Sequence, residues 1–168
     1  MRINTRKIAA SGMLAAVAVA LSAFSIPIGA SKCFPIQHLC NVIAGVFLGP
    51  AYGVAMAFCT SLIRNLMGTG SLLAFPGSMV GAYLCGLMYR HWGKLTAAYV
   101  GEVFGTGIIG GILCYPVATM LMGKEAAVFA YVLPFLMSTV CGTAIAVVLI
   151  GALYKSGAFR YLSDMLDA

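Results

Sequence analysis

Residues 61–77 read SLIRNLMGTGSLLAFPG. An apolar run that starts near Ala51 meets Arg64 and Asn65, then a glycine-rich turn (Gly68, Gly70) and the Pro76–Gly77 pair. A guanidinium beside a carboxamide is costly to keep at the end of a hydrophobic segment. It is either an anchor that snorkels to lipid headgroups or a group that holds something. Asn65 is too short to snorkel, which favours a cavity wall for that residue. The choice turns on whether the neighbouring segments cross a membrane.

Composition says that they do. The chain has 168 residues, 62% hydrophobic and only 8% charged, far too little polar surface for a soluble domain. The expectation is an all-α integral membrane protein forming one transmembrane domain over residues 1–168. The net charge of +6 comes from scattered residues with no basic stripe interleaved with aromatics, which argues against nucleic-acid binding. The N-terminus has the basic start and apolar core of a signal peptide, but its apolar run continues to Pro27 and five more hydrophobic segments follow. A retained first helix is simpler. The six cysteines (33, 40, 59, 85, 114, 141) contain no CxxC and read as small buried hydrophobes rather than a metal or disulfide framework. No cofactor or metal is expected, and the absence of GxxxxGK[ST] excludes P-loop hydrolysis of ATP by this chain.

A helix needs about 20 residues to cross a ~30 Å core. Six spans are expected, at 8–29, 36–49, 51–67, 72–90, 95–122 and 126–154, separated by proline and glycine signals. The short second and third spans among longer neighbours imply ends that stop inside the bilayer. With the N-terminus in the cytoplasm, Arg2, Arg6, Lys7, Arg90, Lys94, Lys155 and Arg160 are cytoplasmic, and Lys32, Arg64 and Lys124 lie outside. This bias places both termini in the cytoplasm. The topology then gathers Ser31 to His38, Asn41, Arg64, Asn65 and the 68–76 loop at the outer side, as a cup floored by Gln37, His38 and Asn41.

Several other features have two readings. In the first span, Ser11, Gly12, Ala15 and Ala16 make a small-residue stripe, suited equally to internal packing or to docking a partner. In the fifth, GTGIIG (105–110) formally matches a dinucleotide fingerprint. It lacks the preceding strand, so close helix packing or backbone facing a cavity is favoured. Glu102 is the only acidic residue within a span and shares a helix face with Thr106. It is either a structural hydrogen-bond acceptor or a ligand-contacting or coupling group. Its position two turns into the fifth span places it toward the cytoplasmic face, away from His38 and Arg64. Tyr115 and Tyr131 lie in the outer parts of their spans, as interface belt residues or as flat walls for a ligand. Ser138 lies at mid-depth, where a hydroxyl most often bonds back to its own helix.

Three blocks, SIPIGASKCFPIQHLCNVIAGVFLGP (25–50), SLIRNLMGTGSLLAFPGSMVGA (61–82) and GEVFGTGIIGGILCYPVA (101–118), resemble the ThiW family over about residues 8–155. Members are substrate-binding S components of energy-coupling factor (ECF) transporters, associated with uptake of the thiazole precursor of thiamine, hydroxyethylthiazole. The resemblance implies a six-helix bundle in the cytoplasmic membrane of a prokaryote, with an outward-facing ligand cavity capped by the loops after spans one and three. It also implies a transmembrane T component and two cytoplasmic ATPases as partners. It tips Ser11, Gly12, Ala15 and Ala16 toward docking, although the family's alanine-rich motif is only approximate here: Ala9 and Ala10 are followed four residues on by Met13 and Leu14.

The ligand-binding set expected from placement is Gln37, His38, Asn41, Arg64, Asn65, Phe75, Glu102, Thr106, Tyr115, Tyr131 and Ser138. Lys32, Phe34, Gly68, Gly70 and Ser71 form the lid loops. Three rivals stand beside this non-enzymatic binder. One is an S component for another vitamin or for the pyrimidine half of thiamine. Another is a small proton-coupled permease that uses Glu102. The last is an intramembrane enzyme using His38, Arg64 and Glu102, disfavoured by the expected separation of Glu102 from the other two.

Overall fold

Prolines and glycines set most of the helix boundaries. Pro35 and Pro50 each open a helix at a position where the missing N–H costs nothing: α2, Pro35–Phe47, and α3, Pro50–Leu66. Gly49, at φ +89°, reverses the chain between them. The next helix, α4 (Ala74–Trp92), ends on Gly93 in the left-handed conformation. The computed structural model describes residues 4–28, 31–123, 125 and 127–167, excluding the side chains of residues 27, 28, 31, 32 and 167.

Before these lies α1, Thr5–Ala20, capped by Asn4 and continued by a 3₁₀ turn, Leu21–Ala23. The helix does not run on to residue 29 as expected. Pro27 cannot continue it, and the flanking isoleucines favour extended backbone. Ile26–Ile28 (β1) instead pairs antiparallel with Ser31–Cys33 (β2), in the register Ile26↔Cys33 and Ile28↔Ser31.

After α4, one long helix, α5, runs Leu95–Leu121. It is π-wound over Val103–Gly110 and Val117–Leu121. The sixth helix, α6, covers Val132–Lys155, starting later than the expected residue 126 because 128–131 form a turn. Lys124, counted as an outer basic residue, lies outside the described residues. A short α7, Ala158–Asp167, was not expected. Its apolar residues Phe159, Leu162 and Leu166 pack on the same core as Phe47, Tyr52 and Leu95.

Among the described residues, three helices are long and apolar enough to cross a membrane: Thr5–Ala23, Leu95–Leu121 and Val132–Lys155; Pro35–Phe47 is a shorter apolar helix. Helix α4 lies centrally, against α2, α3 and α5; α6 packs on α2 and α5, and α1 packs on α3. The α4–α5 contact is very close. A Cβ at Gly110 would stand 2.6 Å from Gly77 Cα, and one at Gly105 2.9 Å from Gly81 Cα. The GTGIIG glycines thus bring two backbones together.

The molecule is polar inside and apolar outside. Met13, Val17, Leu66, Phe104, Leu133 and Val148 are exposed, whereas Arg64, Thr60, Ser61, Ser78, Glu102 and Thr139 are buried. That inversion is the pattern of a lipid-facing bundle. The cysteines are free, and four of them are buried.

Candidate functional site

Four helices send polar side chains to one enclosed region. From α5 comes Glu102, wholly buried at 0% exposure. Its Oε1 lies 2.9 Å from His38 Nδ1, 3.1 Å from Asn41 Nδ2 and 3.1 Å from Thr106 Oγ1. His38 and Asn41 are one turn apart near the start of α2, and Glu102 and Thr106 are one turn apart at the start of the π-wound stretch. Each pair therefore shares a helix face. When Glu102 is ionised its oxygens only accept, and His38 then donates from Nδ1.

Glycine makes this possible. A Cβ at Gly81 would stand 2.9 Å from Glu102 Oε2 and closer still to Thr106 Oγ1. A Cβ at Gly142 on α6 would lie 2.7 Å from His38 Cβ. Both helices pass this close because residues 81 and 142 have no side chain.

From Asn41 the hydrogen bonding continues outward. Asn41 Nδ2 also donates to Ser78 O, at 3.2 Å; Ser78 Oγ and Ser61 Oγ are 3.1 Å apart. Gln37 Nε2 donates to Ser61 Oγ at 3.3 Å, and Arg64 donates through Nη1 to Gln37 Oε1. Arg64, 1% exposed, is the far end of the chain. Its Nη2 donates to Thr69 O at 3.3 Å, and the Phe34 ring lies over its guanidinium carbon at 3.8 Å. The guanidinium thus touches the residue after the β-hairpin, the loop after α3, and α2. A buried cation with these neutral partners is costly, and hydrogen bonds plus ring contact offset part of that cost.

Two expectations are corrected. Glu102 is not separated from His38; the two are in direct contact. His38 lies nine residues before Phe47, about 14 Å at 1.5 Å per residue, and Glu102 seven residues after Leu95, about 11 Å. Phe47 and Leu95 share one core at the same end of the bundle, so the depths coincide. Separation therefore does not disfavour a joint role for His38 and Glu102. The expected open cup is also different: Gln37, His38, Asn41 and Arg64 are buried beneath the two loops. A cleft of about 980 Å³ opens elsewhere, lined by Lys7, Phe47, Pro50, Tyr52 and Arg90, and shares no residue with the network.

The other expected residues divide. Ser138 Oγ accepts the Phe34 amide at 2.8 Å and so seats the hairpin end on α6. Asn65 is half-buried and spends its amide on Ser61 O and Ser71 O, at 2.8 and 2.9 Å. It ties down the lid loop and meets the network only at the Ser61 main-chain carbonyl. Gly68 takes φ +71°, and the amides of Thr69 and Gly70 both donate to Arg64 O. Phe75 pairs with Phe58 at 5.5 Å, and Tyr131 packs near Leu73 and Cys114. Tyr115 is half-buried, and its hydroxyl makes no hydrogen bond among the described residues. The strand holding Lys32 is described; its side chain is not.

Of the docking stripe, Gly12 and Ala16 are exposed and Ser11 half-buried, but Ala15 faces the core. Ser61, Ser78 and Thr69 were not anticipated. Of the three, Ser61 alone has a sequence signal, its spacing three residues before Arg64 on one helix face.

A family model described as thiamine-precursor transporter protein (ThiW) matches residues 8–156. No curated protein and no solved structure matches the chain. With a match over most of its length, the chain belongs to the ThiW family of thiamine-precursor transporter proteins.

Proposed function

We propose that this transporter protein is the substrate-binding S component of an ECF-type importer in a prokaryotic cytoplasmic membrane. It forms a single domain of six spans with both termini in the cytoplasm. In this reading it captures hydroxyethylthiazole at the outer face, and a transmembrane T component with two ATPases supplies the energy. The exposed residues Gly12 and Ala16 on α1 serve the docking.

The observation that carries the reading is the enclosed network from Arg64 to Glu102, set inside an apolar shell beneath two loops that meet at one guanidinium. Burying a small heteroaromatic among a few placed polar groups is how compact sites bind tightly. The test is a calorimetric screen of the purified protein against the thiazole, the pyrimidine precursor and thiamine. Tight binding of the thiazole alone is expected. Tight binding of the pyrimidine alone reassigns the substrate, and unchanged thiazole affinity in both Arg64→Ala and Asn65→Ala displaces the site from the outer end.

One observation favours a second reading, a small proton-coupled permease: the His38–Glu102 contact joins two titratable groups in the core. Uptake that survives loss of the ATPases but collapses with an uncoupler or with Glu102→Gln would select it.

A further inference from the structure

Two buried acceptors in the network have no donor. Glu102 Oε1 meets three polar neighbours, yet Glu102 Oε2 has no hydrogen-bond partner among the described residues, and neither has Asn41 Oδ1. The Asn41 amide cannot turn to relieve this. Its Nδ2 faces Ser78 O and Glu102 Oε1, both pure acceptors, so a flip would set oxygen against oxygen twice. The two atoms belong to groups already in contact and therefore lie in the same region of the core. Buried polar atoms are nearly always paired, and leaving one unpaired costs heavily in a dry interior. Two unpartnered acceptors on contacting residues call for a donor that neither side chain nor backbone supplies.

We propose that Glu102 Oε2 and Asn41 Oδ1 receive the hydrogen-bond donor of the transported molecule, an alcohol O–H or an exocyclic amine N–H, and that this donor is the main polar determinant of substrate choice. The inference rests on the reading that the site binds a thiamine precursor, and it names the atoms and the ligand group involved. Hydroxyethylthiazole offers one such donor, its hydroxyl; the aminopyrimidine precursor offers an amine as well. Both acceptors are enclosed, so the donor reaches them only when the loops held by Arg64 part and neighbouring rotamers shift.

Glu102→Gln has a directional effect under this assignment. The oxygen of the new carboxamide stays where His38 and Asn41 donate, which turns its NH₂ toward the place of Oε2 and replaces an acceptor with a donor. An alcohol can answer by accepting. An amine cannot.

The test is calorimetry on the purified full chain in nanodiscs with four probes: 5-(2-hydroxyethyl)-4-methylthiazole, its donor-free 5-ethyl analogue, 4-amino-2,5-dimethylpyrimidine, whose one donor group is the amine, and the donor-free 2,5-dimethylpyrimidine. A donor-bearing parent is expected to bind on the order of 10- to 100-fold more tightly than its donor-free partner. In Glu102→Gln that gap is expected to shrink below threefold for the amine pair and to persist for the hydroxyl pair, because the alcohol can accept from the new NH₂. The wild-type comparison needs no variant, so misfolding of Glu102→Gln leaves the proposal exposed to failure. If only the pyrimidine pair binds and shows the gap, the acceptor role stands and the thiazole assignment falls. Partners binding within threefold of each other in the wild type, or no binding by any of the four probes, overturns the proposal.

Discussion

Gly81 and Glu102 face each other with no room for a methyl group, since a Cβ at position 81 would stand 2.9 Å from the buried Oε2. The carboxylate is therefore accommodated by a missing side chain on the neighbouring helix. Gly81→Ala must push Glu102 and Thr106 out of place or spread α4 from α5. Overpacking of this kind costs about 1–3 kcal/mol. The variant is expected to melt several degrees lower and to lose ligand binding, read by thermal shift and calorimetry. A wild-type affinity in Gly81→Ala would detach Glu102 from the site.

Arg64 is where two loops and α2 converge. Lysine keeps the charge but has neither the planar fork that reaches Gln37 and Thr69 together nor the flat face that meets Phe34. Arg64→Lys should weaken closure by about 1–3 kcal/mol, through lost hydrogen bonds and an unpaired Gln37. Hydrogen exchange locates the effect. The Phe34 amide, held by Ser138, should exchange faster, while the amides of Thr69 and Gly70 stay protected because they bond the main-chain carbonyl of residue 64.

Gly12 has open space around it, with nothing within 4 Å of a built Cβ. Gly12→Leu should leave the melting temperature unchanged and thiazole affinity within twofold. If α1 docks on a T component, cellular uptake should fall tenfold or more. Uptake at the wild-type level would move the docking face elsewhere.

Asn4 serves two helices at once. Its Oδ1 accepts the amides of Arg6 and Lys7 at the start of α1, and its Nδ2 donates to Leu166 O in α7 at 2.8 Å. Asn4→Ala should cost about 1–2 kcal/mol as a lost cap. It should also raise hydrogen exchange along α7, which Asn4→Asp, keeping the cap but not the donor, should do without the full loss of stability.

The bundle was legible because proline and glycine punctuate it. Pro35, Pro50 and Gly93 each sit where a helix begins or has just ended, and the interruption at Gly68 and Gly70 closes over Arg64. What escaped were features set by depth and partnership. Glu102 was assigned to the wrong level because counting turns from one helix end ignores how short its neighbour α2 is. Ser78 carries no signal of its own, since a helical serine usually bonds its own backbone, as Ser78 also does to Ala74 O. Helix α7 leaves no hydropathy signature, because its ten residues are amphipathic rather than apolar. Asn65, the harder residue of the opening pair to explain from sequence, proves to be a fastener for the loop. Arg64 proves to belong to the interior.

The short bond between Asn4 and Leu166 carries a topological consequence. It brings the first described helix and the last to the same end of the bundle, so the chain between them must return to the side from which it set out. In the six-span reading proposed above, that return is what an even number of passages requires. A reporter fused at either end of this chain should therefore sense the same compartment.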